Sequence, residues 1–510
     1  MQVKSVLEMK LKIYFFFLSL FFIAGCTTYN KQQSVFLAQG IMSGEPTATS
    51  IILQSRITAS DTLIDGDISG KAGMGRFEIS ENKNFSNSQF SELLAADSIS
   101  DFILKYKFRD LKPDTRYTYR LHFGNNKEDQ FLSQVASFKT NPGKDKSSET
   151  SFVVVTGMNY YHFHYGRYNK SQAYTGNDKH LGYPALKSIL DIQPDFFIGT
   201  GDNVYFDHPN EQNFRSNLDR GNEPHPGGYQ GKEVVDESGM RQKYHEQFSQ
   251  QRFIDLFQSV PTYWEKDDHD YRKNDADPFT VFPITHELGI KNFKEQLPIV
   301  DPKSNYKTYR THRITKDLQL WFVEGRDYRN ANSMQDGPEK SLWGNEQLQW
   351  LKSTLLDSDA TFKILISPTP MVGPDDASKK DNHVNHKGFR YEGEAFFDWI
   401  VEHDFLKKNF YIVCGDRHWQ YHAKHPKGIE EFSSGALVDN NSRAGRMAGD
   451  PKSTDPNALI TQYYIQGTEE DATGGFLNVK VTTSGEPELH FLYFDENGNL
   501  LYSTTKKAMK

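Results

Sequence analysis

Cysteine is nearly absent: Cys26 and Cys414 are the two in 510 residues. That excludes a disulfide framework and a cysteine-rich zinc module. An excess of basic residues is also missing. Lys and Arg number 59 against 67 Asp and Glu, a formal net charge of −8. A general nucleic-acid binder should carry a basic face, so no nucleic-acid surface is expected. Gly (37) and Pro (21) are too sparse and aperiodic for a collagen or a linker protein. No internal repeat or low-complexity tract appears. What is present is ample material for packed cores: 14% aromatic and 25% charged residues, over a length that holds two or three domains of roughly 100–200 residues.

The N-terminus reads as an address. Lys10 and Lys12 precede the apolar run Ile13–Ile23, which is short of the ~20 residues needed to span a bilayer. It fits the apolar region of a signal peptide over residues 1–25. Ala24-Gly25-Cys26 then resembles a bacterial lipobox, in which Cys26 is lipidated and becomes the first mature residue. Thr27 and Thr28 follow rather than an acidic residue, which by analogy with sorting signals implies a lipid anchor in the outer membrane, on its periplasmic or cell-surface face. Residues 26–33 read as a tether. No later segment is apolar enough to span a bilayer, so the body is expected to be soluble and tethered.

From residue 34 to 142 the pattern is all-β. Ile51–Leu53, Phe102–Leu104 and Tyr117–Phe123 read as strands. Leu111–Tyr117 resembles the tyrosine corner of fibronectin III and Ig-like sandwiches. Residues 141–150 read as a linker. After Ser151, apolar runs at 152–155, 195–198, 318–323, 362–366 and 410–413 alternate with helical stretches at 183–192, 240–258 and 344–356. Such alternation argues for a layered α/β domain over 151–510. Asn497-Gly498 is a hairpin signal between closing antiparallel strands.

Four of these runs stop just before a polar cluster: Thr156-Gly157-Met158-Asn159, Gly201-Asp202-Asn203-Val204-Tyr205, Glu324-Gly325-Arg326-Asp327-Tyr328-Arg329, and Gly415-Asp416-Arg417-His418. Sites of layered α/β folds lie at the carboxyl ends of strands. A fifth cluster is Asp267-Asp268-His269-Asp270-Tyr271. One Gly-Asp alone is a common turn, one Asp-Arg-His a surface ion pair, and one acidic run a solvated loop. Their joint occurrence in one domain predicts a convergence of carboxylates, which repel one another unless a divalent or trivalent cation offsets their charge.

These motifs, with Asn274-Asp275, Ser367-Pro-Thr-Pro-Met371 and Asn345–Leu351, resemble the PhoD-like (alkaline phosphatase D) metallophosphatases of the calcineurin-like superfamily, and Ser43–Thr47 resembles the family's β-domain prefix. The resemblance implies a metallophosphatase β-sandwich with flanking helices behind the all-β domain. It implies metal ligands Asp202, Tyr205 (as phenolate, often to ferric iron), Asp268, Asp416 and His418, with calcium and iron as the family's ions. It casts His269 as the acid that protonates the leaving oxygen, and Arg326, with Arg417 and Arg329, as the grip on an anionic ester. Asn274 is a candidate additional ligand.

One departure stands out. The family places a Ser-Cys pair after the first strand; here the stretch is Gly157-Met158-Asn159. A thioether is a poor ligand for hard ions, so that metal position is weakened, lost or moved to Asn159. His162, His164, His383 and His386 are either replacement ligands, substrate contacts or plain loop residues. The expected reaction is hydrolysis of a phosphate mono- or diester by metal-activated water, with His269 as general acid. Two rivals are a metal-based sulfatase acting on sulfated polysaccharide, and an inactive binding lipoprotein.

Overall fold

The computed structural model describes residues 33–128, 130–167, 173–210, 234–301 and 307–509. The expected signal peptide, Cys26 and nearly all of the tether lie outside the described residues. Among those described, no helix is long and apolar enough to cross a membrane.

Two sheets face each other. The larger runs, edge to edge, through Leu500–Lys507, Glu488–Asp495, Gly475–Thr482, Thr150–Val155, Phe196–Thr200, Thr262–Glu265, Ile41–Gly44, Ile51–Arg56 and Ile103–Phe108. The second orders Arg310–Arg313, Leu318–Phe322, Phe362–Ser367, Phe410–Cys414, Glu430–Ser434, Gln420–Lys424 and Thr461–Ile465. Strands 150–155, 196–200 and 262–265 pair in parallel, as do 318–322, 362–367, 410–414 and 430–434. Of these central strands, 150–155, 196–200, 318–322, 362–367 and 410–414 are largely apolar because both of their faces are covered, whereas Glu430–Ser434 is polar in sequence although Glu431–Ser434 are buried. Phe152, Val154, Phe196, Ile198, Leu320, Phe322, Ile364, Val413 and Phe432 form the core between the sheets.

Helices cover both outer faces. Pro184–Ile192, Glu237–Phe248 and Gln251–Phe257 pack Leu186, Ile189, Met240, Phe248 and Phe253 on the larger sheet. Gly344–Leu356 and Arg390–Glu402 pack Leu351, Leu355, Phe396 and Ile400 on the second. The result is the layered metallophosphatase sandwich expected from the sequence. The helix read over 240–258 is two helices, broken at Ser249-Gln250. The closing hairpin turns at Gly498, whose φ of 84° is a left-handed value that favours glycine.

The N-terminal strands form an all-β body around Ile51, Leu53, Phe77, Tyr119, Leu121 and Phe138. A tyrosine corner is present: the Lys112 amide donates to the Tyr117 hydroxyl at 3.0 Å. This body also extends the larger sheet, since Gly44 pairs in parallel with Thr262. A Cβ on Gly44 would lie 2.4 Å from the Pro298 carbonyl oxygen, so only glycine fits beneath the segment that follows helix His286–Gln296. Glu45 ion-pairs with Arg310 and His312, and Asp101 with Arg56 and His245. The stretch read as a linker is docked: the Asn141 side chain donates to the Pro46 carbonyl and the Tyr263 hydroxyl, and the Gly143 amide to the Ile314 carbonyl.

Candidate metal centre

The site lies where the central parallel strands of both sheets end. After strand 196–200, Gly201 (φ 93°) and Asp202 (φ 54°) both take left-handed backbone; after strand 410–414, Asp416 (φ 59°) does the same. Such φ values cost a non-glycine residue energy and persist where the surroundings fix them. A Cβ at Gly201 would lie 2.6 Å from the Asp267 backbone nitrogen, so the two turns are pressed together. Asp270 stitches them. Its carboxylate accepts the amides of Asp267 (2.7 Å), Asn203 (3.2 Å) and Asp202 (3.3 Å). Burial raises its pKa to about 7 despite those amides.

Three donor atoms converge. The Tyr205 hydroxyl donates to Asp202 Oδ2 at 3.0 Å, His418 Nε2 lies 3.1 Å from the same oxygen, and the hydroxyl and imidazole are 3.3 Å apart. Asp202, Asp268 and His269 present a second set of ligand atoms within 4.8 Å of one another. Asp202 Oδ1 is buried with no hydrogen-bond partner among the described residues. Burial first, then the charges of Asp268 and Asp270, push the Asp202 pKa up to about 8 in spite of His269. Burial and the cations around it, Arg443 and Arg167 first, push His418 well below the usual imidazole range, so its ring is neutral and one of its nitrogens is free to accept or ligate. A carboxylate with an unmatched oxygen, a phenol and a neutral imidazole form a donor set that fits a hard or borderline cation.

Asp268 is held ready by two backbone amides, from His269 (3.0 Å) and Asp275 (2.5 Å). Burial opposes its ionisation, but His269, Arg326 and Lys379 outweigh it and hold it below the usual carboxylate range. His269 Nδ1 lies 2.7 Å from Asp207 Oδ1. Burial disfavours a charged ring there, yet Asp207, Asp268 and Asp202 together hold it well above the usual imidazole range. His269 therefore carries a proton, and Asp207 fixes which nitrogen faces the cleft. The cleft, of about 460 Å³, is lined by Asp202, Tyr205, His269, Asp416, His418 and Asn274 of the expected set.

The arginines differ from expectation. Arg326 is fully buried between Asp267 (2.5 Å) and Asp381 (3.2 Å), away from the cleft lining. Arg417 pairs with Asp375 and Asp416, and Arg329 donates to the Gly325 carbonyl at 2.6 Å. All three neutralise or brace buried groups rather than face an ester, because buried aspartates need the countercharge at hand. Lys266 likewise ties the 324–329 loop through Glu324 and Asp327. Asn159 also departs from the ligand role. Its Oδ1 caps helix Tyr160–Tyr165 by accepting the His162 amide (2.9 Å), and its Nδ2 contacts His208 at 2.7 Å. Met158 points into the helical core and gives the site only its amide, donated to the Asp202 carbonyl. His162 lines the cleft; His383 is buried against Glu392, and His386 lies against Arg390.

Sequence reasoning passed over Asp207, His208, Arg167, Lys379, Asn441 and Arg443, all in the site. Asp207-His208 follows Tyr205 directly, and that adjacency was the available signal. Asn441 holds the Tyr205 hydroxyl through Nδ2 (2.8 Å) and His162 Nδ1 through Oδ1 (3.0 Å). It and Arg443 follow strand Glu430–Ser434, a further strand end whose polar text does not advertise a strand. Lys379, which pairs with Asp275, follows no strand end and gave no signal.

Comparison with known proteins places this geometry. The chain is 21% identical over 348 residues to alkaline phosphatase D of Bacillus subtilis (strain 168), an alignment covering 64% of this chain and 54% of that protein. The chain thus spans about half the length of that relative. Among solved structures, a PhoD structure superposes with a TM-score of 0.70 at 17% identity, covering 94% of this chain and 92% of that one. A purple acid phosphatase from yellow lupin (Lupinus luteus) seeds superposes at 0.56 with 12% identity, covering 92% and 74%. At such identities these likenesses speak to fold. Residues 152–506 match the PhoD-like phosphatase family and residues 25–142 its N-terminal domain, so with most of its length inside that match the chain belongs to the PhoD-like phosphatase family.

Proposed function

We propose that this protein is a metal-dependent hydrolase of phosphate mono- or diesters. The observation that carries the reading is the convergence of Asp202 Oδ2, the Tyr205 hydroxyl and His418 Nε2 within 3.3 Å of one another, in one cleft with a protonated His269, with an Asp268 carboxylate oxygen within 4.8 Å of ligand atoms of Asp202 and His269. Asp202, Tyr205 and His418 would hold one cation, and Asp268 with Asp416 would extend the cage from Asp202 to a second. Bound cations would supply an activated water and offset charge on the ester's non-bridging oxygens. Iron at the phenol and calcium at the carboxylates are the identities the resemblance implies.

The chain's own residues supply the rest. Asp207 orients His269, whose free nitrogen faces the cleft and protonates the departing oxygen. Of the carboxylates that charge His269, Asp207 is the one outside the proposed cage, so its effect persists when cations take up Asp202 and Asp268. Asn441 fixes the Tyr205 hydroxyl in line with Asp202. No covalent intermediate on the protein is needed.

The test is hydrolysis of p-nitrophenyl phosphate, bis-p-nitrophenyl phosphate and p-nitrophenyl sulfate, with metal analysis of the same protein. Turnover of either phosphate ester, lost on chelation and restored by metal, is expected. Turnover of the sulfate alone would point to a sulfatase, and a metal-free protein inert on all three to a binding lipoprotein.

The cellular placement belongs to the same proposal: a signal peptide, lipidation of Cys26 and an outer-membrane tether. It rests on Lys10, Lys12, the apolar run and Ala24-Gly25-Cys26. Labelled palmitate should enter the native chain and not Cys26→Ser; equal labelling would remove Cys26 as the anchor.

A further inference from the structure

The cleft is larger than its chemistry alone requires. Its volume of about 460 Å³ falls in the range that encloses a whole small organic ligand, so it accommodates the leaving group as well as the reacting phosphate. Its walls say what that group is. Among the described residues no aliphatic side chain lines it, so those walls favour a polar leaving group over a lipid or other apolar alcohol.

Three of the lining residues are permanent cations: Arg167, Lys379 and Arg443. Lys379 is already engaged by Asp275. Arg443 is different. Among the described residues its guanidinium has no ion pair and no hydrogen bond, and its Nε is buried without a partner. Leaving such a group unmatched is costly, and here it is also held still. Its guanidinium lies over the Trp419 ring, 5.2 Å from the centroid. Gly445, two residues on, is pressed so closely against that indole that a Cβ would lie 2.4 Å from it. Arg443 also sits next to the reacting centre, since its amide donates to the His418 carbonyl at 3.0 Å. Arg167 reaches the carbonyl of Ser442 at 3.2 Å, which brings a second guanidinium to the same stretch of wall. The two feel each other: after burial, Arg443 is the main influence lowering the pKa of Arg167. Arg417 also acts on Arg443, and Asp375 and Asp376 offset part of that field from a distance without pairing with it; two guanidiniums on one wall favour an anion beside them.

We propose that Arg443, with Arg167 beside it, forms a second anion subsite, and that the substrates are phosphate esters whose leaving group carries a second anionic group. This rests on the hydrolase reading and deepens it. The scissile phosphate goes to the Asp202–Tyr205–His418 cluster, with His269 at the leaving oxygen. The distal phosphate, carboxylate or sulfate of the leaving group then meets the fixed fork of Arg443, which matches a tetrahedral or planar oxyanion through two parallel N–H donors.

The test needs no turnover. Propane-1,3-bisphosphonate and propylphosphonate both resist hydrolysis and differ only in the second anionic group. Calorimetric binding of each to the purified protein should favour the bisphosphonate, and Arg443→Gln should cut that preference about tenfold, the worth of one charge-assisted contact. Arg443→Lys, which keeps the charge and loses the fork, should retain part of it. Equal affinity of the two ligands for the native protein would overturn the proposal, as would an equal loss for both ligands in Arg443→Gln. The hydrolase reading fails by a separate sign, no turnover of p-nitrophenyl phosphate, so the two failures are told apart.

Discussion

Asp207→Asn isolates the proton that the proposed mechanism requires. The substitution keeps the side-chain shape and removes one negative charge 2.7 Å from His269 Nδ1. A hydrogen bond to a charged partner is worth about 1.5–3 kcal/mol, which corresponds to a fall of about 1–2 units in the His269 pKa. The sign follows from the role. His269 acts in its protonated form, so activity is present below its pKa and lost as pH rises through it. The native alkaline limb is set high, because Asp207, the carboxylate outside the proposed cage, raises that pKa against burial. In Asp207→Asn the alkaline limb of kcat should move to lower pH by about 1–2 units. At a pH above the new limb, turnover of an alkyl phosphate, whose leaving group needs a proton, should fall about ten- to a hundredfold. p-Nitrophenyl phosphate, whose leaving group needs little protonation, should fall far less. Paired pH–rate profiles on the two substrates read both effects. Equal losses on both esters with an unmoved alkaline limb would refute His269 as the acid and Asp207 as its support.

Other perturbations test other parts. Asp202→Asn should lower bound metal. In chelator-treated protein it should also remove a destabilising carboxylate: the folded-state pKa of about 8 lies above the unfolded value near ~3.9, so the native state binds the extra proton and stability falls as pH rises across that window. The melting temperature of Asp202→Asn should therefore exceed the native one by more at pH 8 than at pH 5; a constant gap would contradict this. Arg326→Met should cost on the order of 3–5 kcal/mol, because it leaves buried Asp267 and Asp381 without their cation; a fully stable variant with only a raised KM would restore Arg326 to the ester. His245→Ala should destabilise the chain by about 3 kcal/mol in urea unfolding, since Asp101 loses a buried partner at 2.7 Å; no change would show that the N-terminal strands do not lean on this contact.

The layered sandwich was legible because apolar runs such as Phe152–Val155 and Phe410–Val413 are covered on both faces, and burial writes itself directly into residue type. The tyrosine corner was legible because its chemistry is local, five residues apart. The seam between the all-β body and the catalytic sheet was not: Gly44 meeting Thr262 is one pairing between distant segments, and nothing in Ser43-Gly44-Glu45 announces a neighbour. At the site, Asp202, Asp268, His269, Asp416 and His418 could be read because each follows a strand end or stands in a dense acidic cluster. The arginines could not be assigned from sequence. A guanidinium that braces buried aspartates, like Arg326, and one that faces a cleft, like Arg443, look alike in text. Only packing tells them apart. The same holds for Asn159, where an amide at a helix start serves equally as a cap or a ligand.

The central claim is that Asp202, Tyr205 and His418 hold a cation on which ester hydrolysis depends. The most direct test is elemental analysis of the purified native protein beside Asp202→Asn and His418→Ala, with phosphatase activity measured on the same samples. Metal bound at whole-number stoichiometry in the native chain, and lost from both variants together with activity, is the expected result. Native protein that hydrolyses phosphate esters after complete metal removal, or variants that keep full metal content, would contradict the account.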